Sequence, residues 1–333
     1  MTNHPITRRQ FNQFALASAA AAASASIAAQ TATKRPEIAK IFVPFAAGGT
    51  LDQIARILGE QLRGDVADTL VVENKSGAAG RIAIDVLRAA PADGTTLMVH
   101  AGGLQSLYPH TFKQLSYDPF VDVIPVSLTN RLEFGFAVGV AVPAEVRTLP
   151  DYITWVKADP KRSSFATPGS GTPPHFLPML LGRDIKVEMN PVHYRGTSAC
   201  FPDVLGGSVP AMSGPVHDLV QQLPGGKLRI IATSGATRNK LTPNVGTYAE
   251  YGFPQLTSSD WYAVYVSGKT PPALVEQISA SVRRALAMPA VALSFSKAYI
   301  EPVWSTPAEA MRFARADNAM WASVVKTVGY VPE

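Results

Sequence analysis

Cysteine is almost missing from this chain: Cys200 stands alone among 333 residues. A lone thiol permits no intrachain disulfide, and it excludes metal centres built on thiolate clusters. Histidine is scarce as well. The six, at positions 4, 100, 110, 175, 193 and 217, never fall at the His-x-x-x-His spacing of a zinc protease. No serine sits in Gly-x-Ser-x-Gly, since Ser170 follows Pro168-Gly169 and Ser213 follows Ala211-Met212, which argues against a serine hydrolase. The glycines form neither a Gly-x-Gly-x-x-Gly fingerprint nor a Walker loop, so nucleotide binding has no support and no cofactor is expected. Charged residues make up 17% of the chain and form no basic run, so nucleic acid is not an expected partner. Past the N-terminal segment, no stretch is long and apolar enough to span a membrane.

The N-terminal segment has the composition of an export signal. Thr7-Arg8-Arg9-Gln10-Phe11 precedes an uncharged, alanine-rich run from Ala15 to Ala29. That run is short of the ~20 apolar residues a spanning helix needs. The paired arginines fit the twin-arginine type, and Ser26 and Ala28 suit positions −3 and −1 of a cleavage site. Residues 1–28 are therefore expected to be removed near Ala28, leaving a periplasmic protein. Removal takes away two arginines and no acid, so the formal charge falls from +5 to 5 − 2 = +3.

The stretch that organises the rest is Ile41-Phe42-Val43-Pro44-Phe45-Ala46-Ala47-Gly48-Gly49-Thr50-Leu51-Asp52. An apolar run breaks into a small-residue loop, and Leu51, Ile54, Ala55, Leu58 and Leu62 then follow at the spacing of one helical face. This reads as strand, turn and helix, with Thr50 as the expected cap and Gly64 as the stop. Helix N-termini carry unpaired N–H groups and attract anions, yet a glycine-rich loop can equally serve only to turn the chain. Asp52 sits where the helix dipole favours an acid whatever else it does.

The pattern repeats. Thr69–Asn74 and Thr95–Ala101 read as strands, a helical pattern carried by Ile82, Val86 and Leu87 lies between them, and the loop Ala101-Gly102-Gly103 closes the set. Alternation of this kind predicts parallel βαβ units with binding loops at the carboxyl ends of the strands. Phe134 to Val142 leads into a second set: a helix from about Pro150 to Ala158, a strand at Ser164, then Thr167-Pro168-Gly169-Ser170-Gly171-Thr172-Pro173-Pro174-His175 opening a helix. Strands at 187–193, 209–213 and 228–234 follow, with Tyr194-Arg195-Gly196-Thr197-Ser198 opening another helix. The last elements, a strand at 261–267, a helix from Pro271-Pro272 and a long helix from Pro307 to Val328, are too few for a domain of their own. They are expected to return to the first set, giving an α/β protein of two lobes joined by two crossing strands near 134–140 and 258–264. The expected boundaries are 36–135 plus 258–333 for one lobe and 136–257 for the other. His175 could act as a base, donate to a ligand or be structural; Arg195 could pair with a carboxylate or point into solvent.

Taken together, the segments Val43-Pro44-Phe45-Ala46-Ala47-Gly48-Gly49-Thr50-Leu51-Asp52, Val72-Glu73-Asn74-Lys75-Ser76-Gly77-Ala78-Ala79-Gly80, Ala90-Pro91-Ala92-Asp93-Gly94-Thr95-Thr96-Leu97, Leu115-Ser116-Tyr117-Asp118-Pro119 and Gly171-Thr172-Pro173-Pro174-His175 resemble the signatures of Bug-type solute receptors. These are the extracytoplasmic binding proteins of tripartite tricarboxylate transporters, and the similarity runs in order from about Lys40 to Pro332. The resemblance implies a type II periplasmic-binding-protein fold, a monomer with no metal site, that passes a small organic acid to a membrane permease. It also implies that ligand carboxylates sit between the loop of Phe45, Ala46, Ala47, Gly48 and Gly49, with Asp52, Ala101 and Gly102 nearby, and the loops of Gly169, Ser170, Gly171, Thr172 and His175 and of Arg195, Gly196 and Thr197. Two departures stand out. After Met212 the family commonly has Phe-Asp where this chain has Ser213-Gly214, and a lysine is common where Arg195 stands. The missing acid leaves the ligand open, above all whether it carries an ammonium group. An exported enzyme and a ligand sensor for a membrane receptor remain the alternatives.

Overall fold

The computed structural model describes residues 35–328, 330 and 332; the expected export signal and its cleavage site lie outside them. β1 (Ile38–Val43) lies between β2 (Thr69–Asn74) and β3 (Thr96–Ala101), parallel to both. Parallel neighbours require long crossovers, supplied by α1 (Thr50–Gln61) and α2 (Arg81–Ala89). α1 buries Leu51, Ile54, Ala55 and Leu58 on the face the sequence spacing predicts. Its start differs from expectation: Gly49 holds the cap position and Thr50 is the first helical residue, its side chain turned to the other lobe. α2 buries Ala83, Ile84 and Leu87, while Ile82 is exposed.

β4 (Val123–Val138) is the strand both lobes share. Up to Glu133 it pairs antiparallel with β9 (Ser259–Ser267), which also pairs with β3; from Phe134 it pairs with β7 (Ala211–Pro215), and from Gly135 with β8 (Arg229–Thr233). Register shifts at 125/127, 128/130 and 136/137 twist the strand as it passes from one sheet to the other. The sequence reading starts this element only at Phe134, because Ser127, Thr129, Asn130 and Arg131 interrupt the apolar pattern. Ser127, Thr129 and Asn130 are fully buried: Ser305 Oγ accepts the Leu128 N–H at 3.1 Å, and the Ser305 N–H reaches Ser127 Oγ at 3.3 Å.

β5 (Ser164–Thr167) and β6 (Asn190–His193) complete the second sheet, which α3 (Leu149–Ala158), α4 (Pro173–Ile185) and α5 (Thr197–Gly206) connect and cover. Phe136 of β4 is fully buried and meets the Tyr152 ring edge-on, centroids 5.0 Å apart. The chain then returns through α6 (Pro272–Leu286), α7 (Pro289–Lys297) and α8 (Pro307–Val328) to pack against the first sheet. α7 has no counterpart in the sequence reading; only Val291 and Phe295 are buried on it, too few to make a legible face.

The two passages between lobes meet at Ser234. Its N–H donates to the Phe134 carbonyl (2.8 Å), and its hydroxyl accepts the Phe134 N–H (2.9 Å) and donates to the Ser258 carbonyl (2.6 Å). The Ser258 N–H returns to the Ser234 carbonyl at 2.8 Å. These four hydrogen bonds tie the two passages together at the crossover.

Candidate functional site

Loops at the carboxyl ends of β1, β3, β5 and β7 face one another across the space between the lobes, the position where open α/β sheets bind ligands. They border one cavity. Phe45, Leu51, Ala101, Gly103 and Tyr108 border it from the first lobe, Pro168, Thr172, Thr197 and Pro215 from the second, and Phe134 and Tyr262 from the strands at the crossover. α1, α4 and α5 all begin here, since Thr50, Pro173, Pro174 and Thr197 are also on the wall. Their dipoles favour negative charge by about 0.3–1 kcal/mol each. α4 offers that field with few donors, because Pro173 and Pro174 have no N–H.

Phe45, Ala101, Thr172 and Thr197 of the sequence-derived set border the cavity. Most of the others are engaged with one another. The Ala46 N–H donates to the Arg195 carbonyl across the cleft (2.8 Å), and Ser198 Oγ donates to the Ala47 carbonyl (3.0 Å). The Gly48 N–H donates to Asp52 Oδ2 at 3.0 Å, and the Gly49 carbonyl accepts the Gln53 N–H at 3.1 Å. The Gly102 N–H is held by the Trp261 carbonyl (2.7 Å), leaving Gly103 on the wall. The Gly171 N–H donates to His175 Nδ1 (3.1 Å), the Gly196 N–H to the Pro168 carbonyl (3.1 Å), and Thr172 Oγ1 to the Gly169 carbonyl (2.8 Å). Ser170 is half-buried beside them. Several backbone donors the sequence reading offered to a carboxylate are therefore spent on shaping and joining the loops.

Three side chains of the sequence-derived set stand off the cavity wall. Arg195 is exposed, one of the two readings the sequence allowed, and its carbonyl bridges the cleft to the Ala46 N–H; among the described residues no guanidinium lines the cavity. His175 is buried, its ring edge-on to His193 at 4.8 Å, and it fixes the turn at Gly171. Asp52 is buried behind the first loop, where its carboxylate accepts from Gly48, from Arg56 twice at 2.9 Å and from Asn74 Nδ2 at 3.0 Å. Burial opposes its charge, but the Arg56, Gly48 and Asn74 donors outweigh burial and hold the carboxyl below its usual range.

Two acids absent from the sequence-derived set do reach the wall. Asp218, in the turn after β7, accepts the Thr50 N–H at 3.1 Å and the Thr50 hydroxyl from the other lobe. Asp260 of β9 accepts the Trp261 N–H at 2.7 Å. Burial pushes its carboxyl up to about 8; the Trp261 N–H opposes this and the nearby Asp317 carboxylate adds to it. No residue near either one in sequence marks them as site residues. Asp260 lies in a strand otherwise dominated by apolar residues, and the partner of Asp218 is on the far lobe.

Residues 54–330 match the family model described as tripartite tricarboxylate transporter family receptor. The chain belongs to this family. Among its curated relatives, BugT of Bordetella pertussis (strain Tohama I) is 29% identical over 316 residues, covering 93% of this chain and 94% of that one. A UPF0065 protein of Cupriavidus necator is 28% identical over 319 residues, covering 95% of each. Among solved structures, the periplasmic binding protein BugD superposes with a TM-score of 0.83 at 26% identity, covering 90% of this chain and 99% of BugD. An R. palustris protein solved with adipate gives the same TM-score and identity over 89% of this chain and 99% of its own. The two-lobe fold read from the sequence is thus the fold of periplasmic binding proteins, and the Bug-type resemblance is borne out at the level of the whole chain.

Proposed function

We propose that this receptor captures a small organic acid between its lobes in the periplasm and delivers it to the membrane permease of a tripartite tricarboxylate-type transporter, acting as a monomer and without catalysis. The observation that supports this best is the cavity itself, enclosed by loops from both lobes that hydrogen-bond across the cleft at Ala46–Arg195, Ala47–Ser198 and Thr50–Asp218. A pocket built this way forms only when the lobes come together, which suits capture and release. Residues 36–135 plus 258–333 and residues 136–257 are the proposed lobes. In this reading Phe45, Ala101, Thr172 and Thr197 touch the ligand, and the Ala46–Gly49, Gly169–Gly171 and Arg195–Gly196 segments form the closing rims. The adipate bound by the R. palustris relative supports a carboxylate ligand.

Mass spectrometry of the small molecules retained by gently purified protein tests the ligand class; recovery of no carboxylate from several growth media would count against it. Small-angle scattering tests closure. The radius of gyration is expected to fall when the ligand-free protein is given the recovered ligand, and an unchanged value alongside tight binding would rule out rotation about the crossover at Ser234.

Export supplies a separate prediction. Replacing Arg8 and Arg9 by lysine is expected to leave the protein in the cytoplasm, because paired guanidinium groups are what the twin-arginine route reads. Unchanged periplasmic yield in cell fractionation would assign it to the general secretory route.

A further inference from the structure

We propose that Asp218 caps helix α1 from across the cleft and, with the pair Gln53–Gln221, forms a latch through which the protein's own side chains hold the lobes together whatever solute lies between them. The proposal rests on the reading of residues 36–135 plus 258–333 and residues 136–257 as lobes that close on a solute. α1 starts without a cap of its own: Gly49 stands at the cap position and offers no side chain to the first helical N–H groups. The acceptor comes from the other lobe. The Thr50 N–H donates to Asp218 Oδ1 at 3.1 Å, and the Thr50 hydroxyl donates to the same oxygen. Thr50 is 1% exposed and Asp218 5%, so the contact is shut off from water. A carboxylate at a helix start is favoured by the unpaired N–H groups and by the helix dipole, and hydrogen bonds to a charged group are stronger than those between neutral ones.

A second pair lies one helical turn further on. Gln53 is three residues after Thr50 and Gln221 three after Asp218, and Gln53 Nε2 donates to Gln221 Oε1 at 3.2 Å. Both amides are also tied within their own lobes: Gln53 Nε2 donates to the Gly48 carbonyl at 3.2 Å, and Gln221 Nε2 to the His217 carbonyl at 3.3 Å. The equal offset on the two sides means that two helical segments meet side by side, α1 from one lobe and Val216–Val220 with the turn after it from the other. The two pairs differ in one respect that matters for a test. Thr50 and Asp218 border the solute cavity, whereas Gln53 and Gln221 do not. An effect carried by the lobes rather than by contact with the solute is therefore separable at the glutamines.

The latch couples closure to affinity. Apparent affinity is the affinity of the closed form scaled by the population of that form before a solute arrives. Bonds between the protein's own side chains raise this population, and they raise the affinity for every solute by one common factor. Losing a helix cap is expected to lower the ratio of closed to open form about five- to tenfold. Losing the neutral glutamine pair is expected to lower it about threefold. Asp218→Asn keeps an acceptor that caps nearly as well as aspartate, so it should retain most of the ratio that Asp218→Ala loses. A different role for the contact makes the opposite prediction: if Asp218 only occupied a place that a solute carboxylate must take, its removal would strengthen binding.

The test is the distance between spin labels at Glu60→Cys and Lys227→Cys, exposed positions on opposite lobes, in ligand-stripped protein; Cys200 is buried and stays unlabelled. The parent is expected to show a short-distance population without any solute. Asp218→Ala should lower the ratio of short to long distances about five- to tenfold, Gln53→Ala and Gln221→Ala about threefold each, and the double glutamine variant no more than either alone. Calorimetry on the glutamine variants, with dicarboxylates of four to eight carbons and the common amino acids as probes, should give one common fold-loss for every probe that binds. Unchanged distances in all the latch variants, a loss at Gln53→Ala that differs between probes, or tighter binding by Asp218→Ala would overturn the latch. Should Asp218→Ala melt far below the parent, the half-buried glutamines decide; should no probe bind, the distance populations decide. A probe that shortens the distance equally in the parent and the latch variants overturns the latch and leaves the receptor reading standing, whereas a probe that binds the parent with no change of distance overturns both.

Discussion

Valine at Gly171 is expected to weaken ligand binding about 30-fold while leaving a folded protein. A Cβ on this residue would lie 2.8 Å from Phe112 Cζ and 3.1 Å from Thr111 Oγ1, and both belong to the other lobe in the arrangement proposed above. Those contacts exist only when the lobes meet, so the clash falls on the closed form alone. Overpacking typically costs about 1–3 kcal/mol, and 2 kcal/mol corresponds to about 30-fold in affinity. Gly171 also has φ of +69°, and a branched residue there adds roughly 1–2 kcal/mol of strain in the open and closed forms alike. That part lowers the melting temperature without changing affinity. Gly48 separates the two effects. Its φ is +89°, but an added Cβ would meet nothing nearer than Ser198 Cβ at 4.0 Å. Gly48→Val should therefore lose a similar amount of stability and much less affinity. Calorimetry with the recovered ligand beside a thermal melt of each variant reads both quantities; equal affinity in Gly171→Val and the parent would show that the second loop takes no part in closure.

Alanine at Asp52 is expected to cost about 2–3 kcal/mol of stability and to release the first loop. The Arg56 ion pair contributes little of this, because the Arg56 side chain is 53% exposed and such pairs contribute about 0.2–1 kcal/mol. The larger cost comes from the Gly48 N–H and the Asn74 amide, which lose their acceptor in a partly buried setting at about 1–3 kcal/mol per unsatisfied group. Asn74 Nδ2 also donates to the Phe45 carbonyl at 3.0 Å, so Asp52 anchors both ends of the turn that presents Phe45 to the cavity. The sign of the pH dependence follows from the depressed carboxyl of the folded state. Its contribution is complete above the unfolded value of about 3.9 and disappears as pH falls through the lower folded value. Denaturant melts of parent and Asp52→Ala should begin to approach each other below about pH 4 and draw closer as pH falls through the depressed folded value. If 1 M salt reproduces the loss at neutral pH, the ion pair rather than the buried donors carries the effect.

The strand, loop and helix at residues 41–62, the same unit repeated before α4 and α5, and the two-lobe architecture were all legible from residue order. Each depends on features that neighbouring residues determine: an apolar run, a small-residue break, and a face repeating every three or four positions. The first half of β4 was not legible, because its buried Ser127, Thr129 and Asn130 look like surface residues until the C-terminal segment covers them. The site divides in the same way. Loop positions could be read from glycine and proline, but whether a loop N–H is available to a ligand depends on acceptors far away in the chain, as with Ala46 and Arg195. Asp52 looked like a helix-end acid and is the anchor of its loop, since Asn74 reaches it from β2. Asp218 and Asp260 belong to the cavity only because β7 and β9 bring their ends to one wall. An isolated acid in a sequence carries no sign of the burial that sets its charge. Only the packed lobes, by excluding water around Asp260 and placing Asp317 nearby, decide that one of these acids holds its proton near neutral pH.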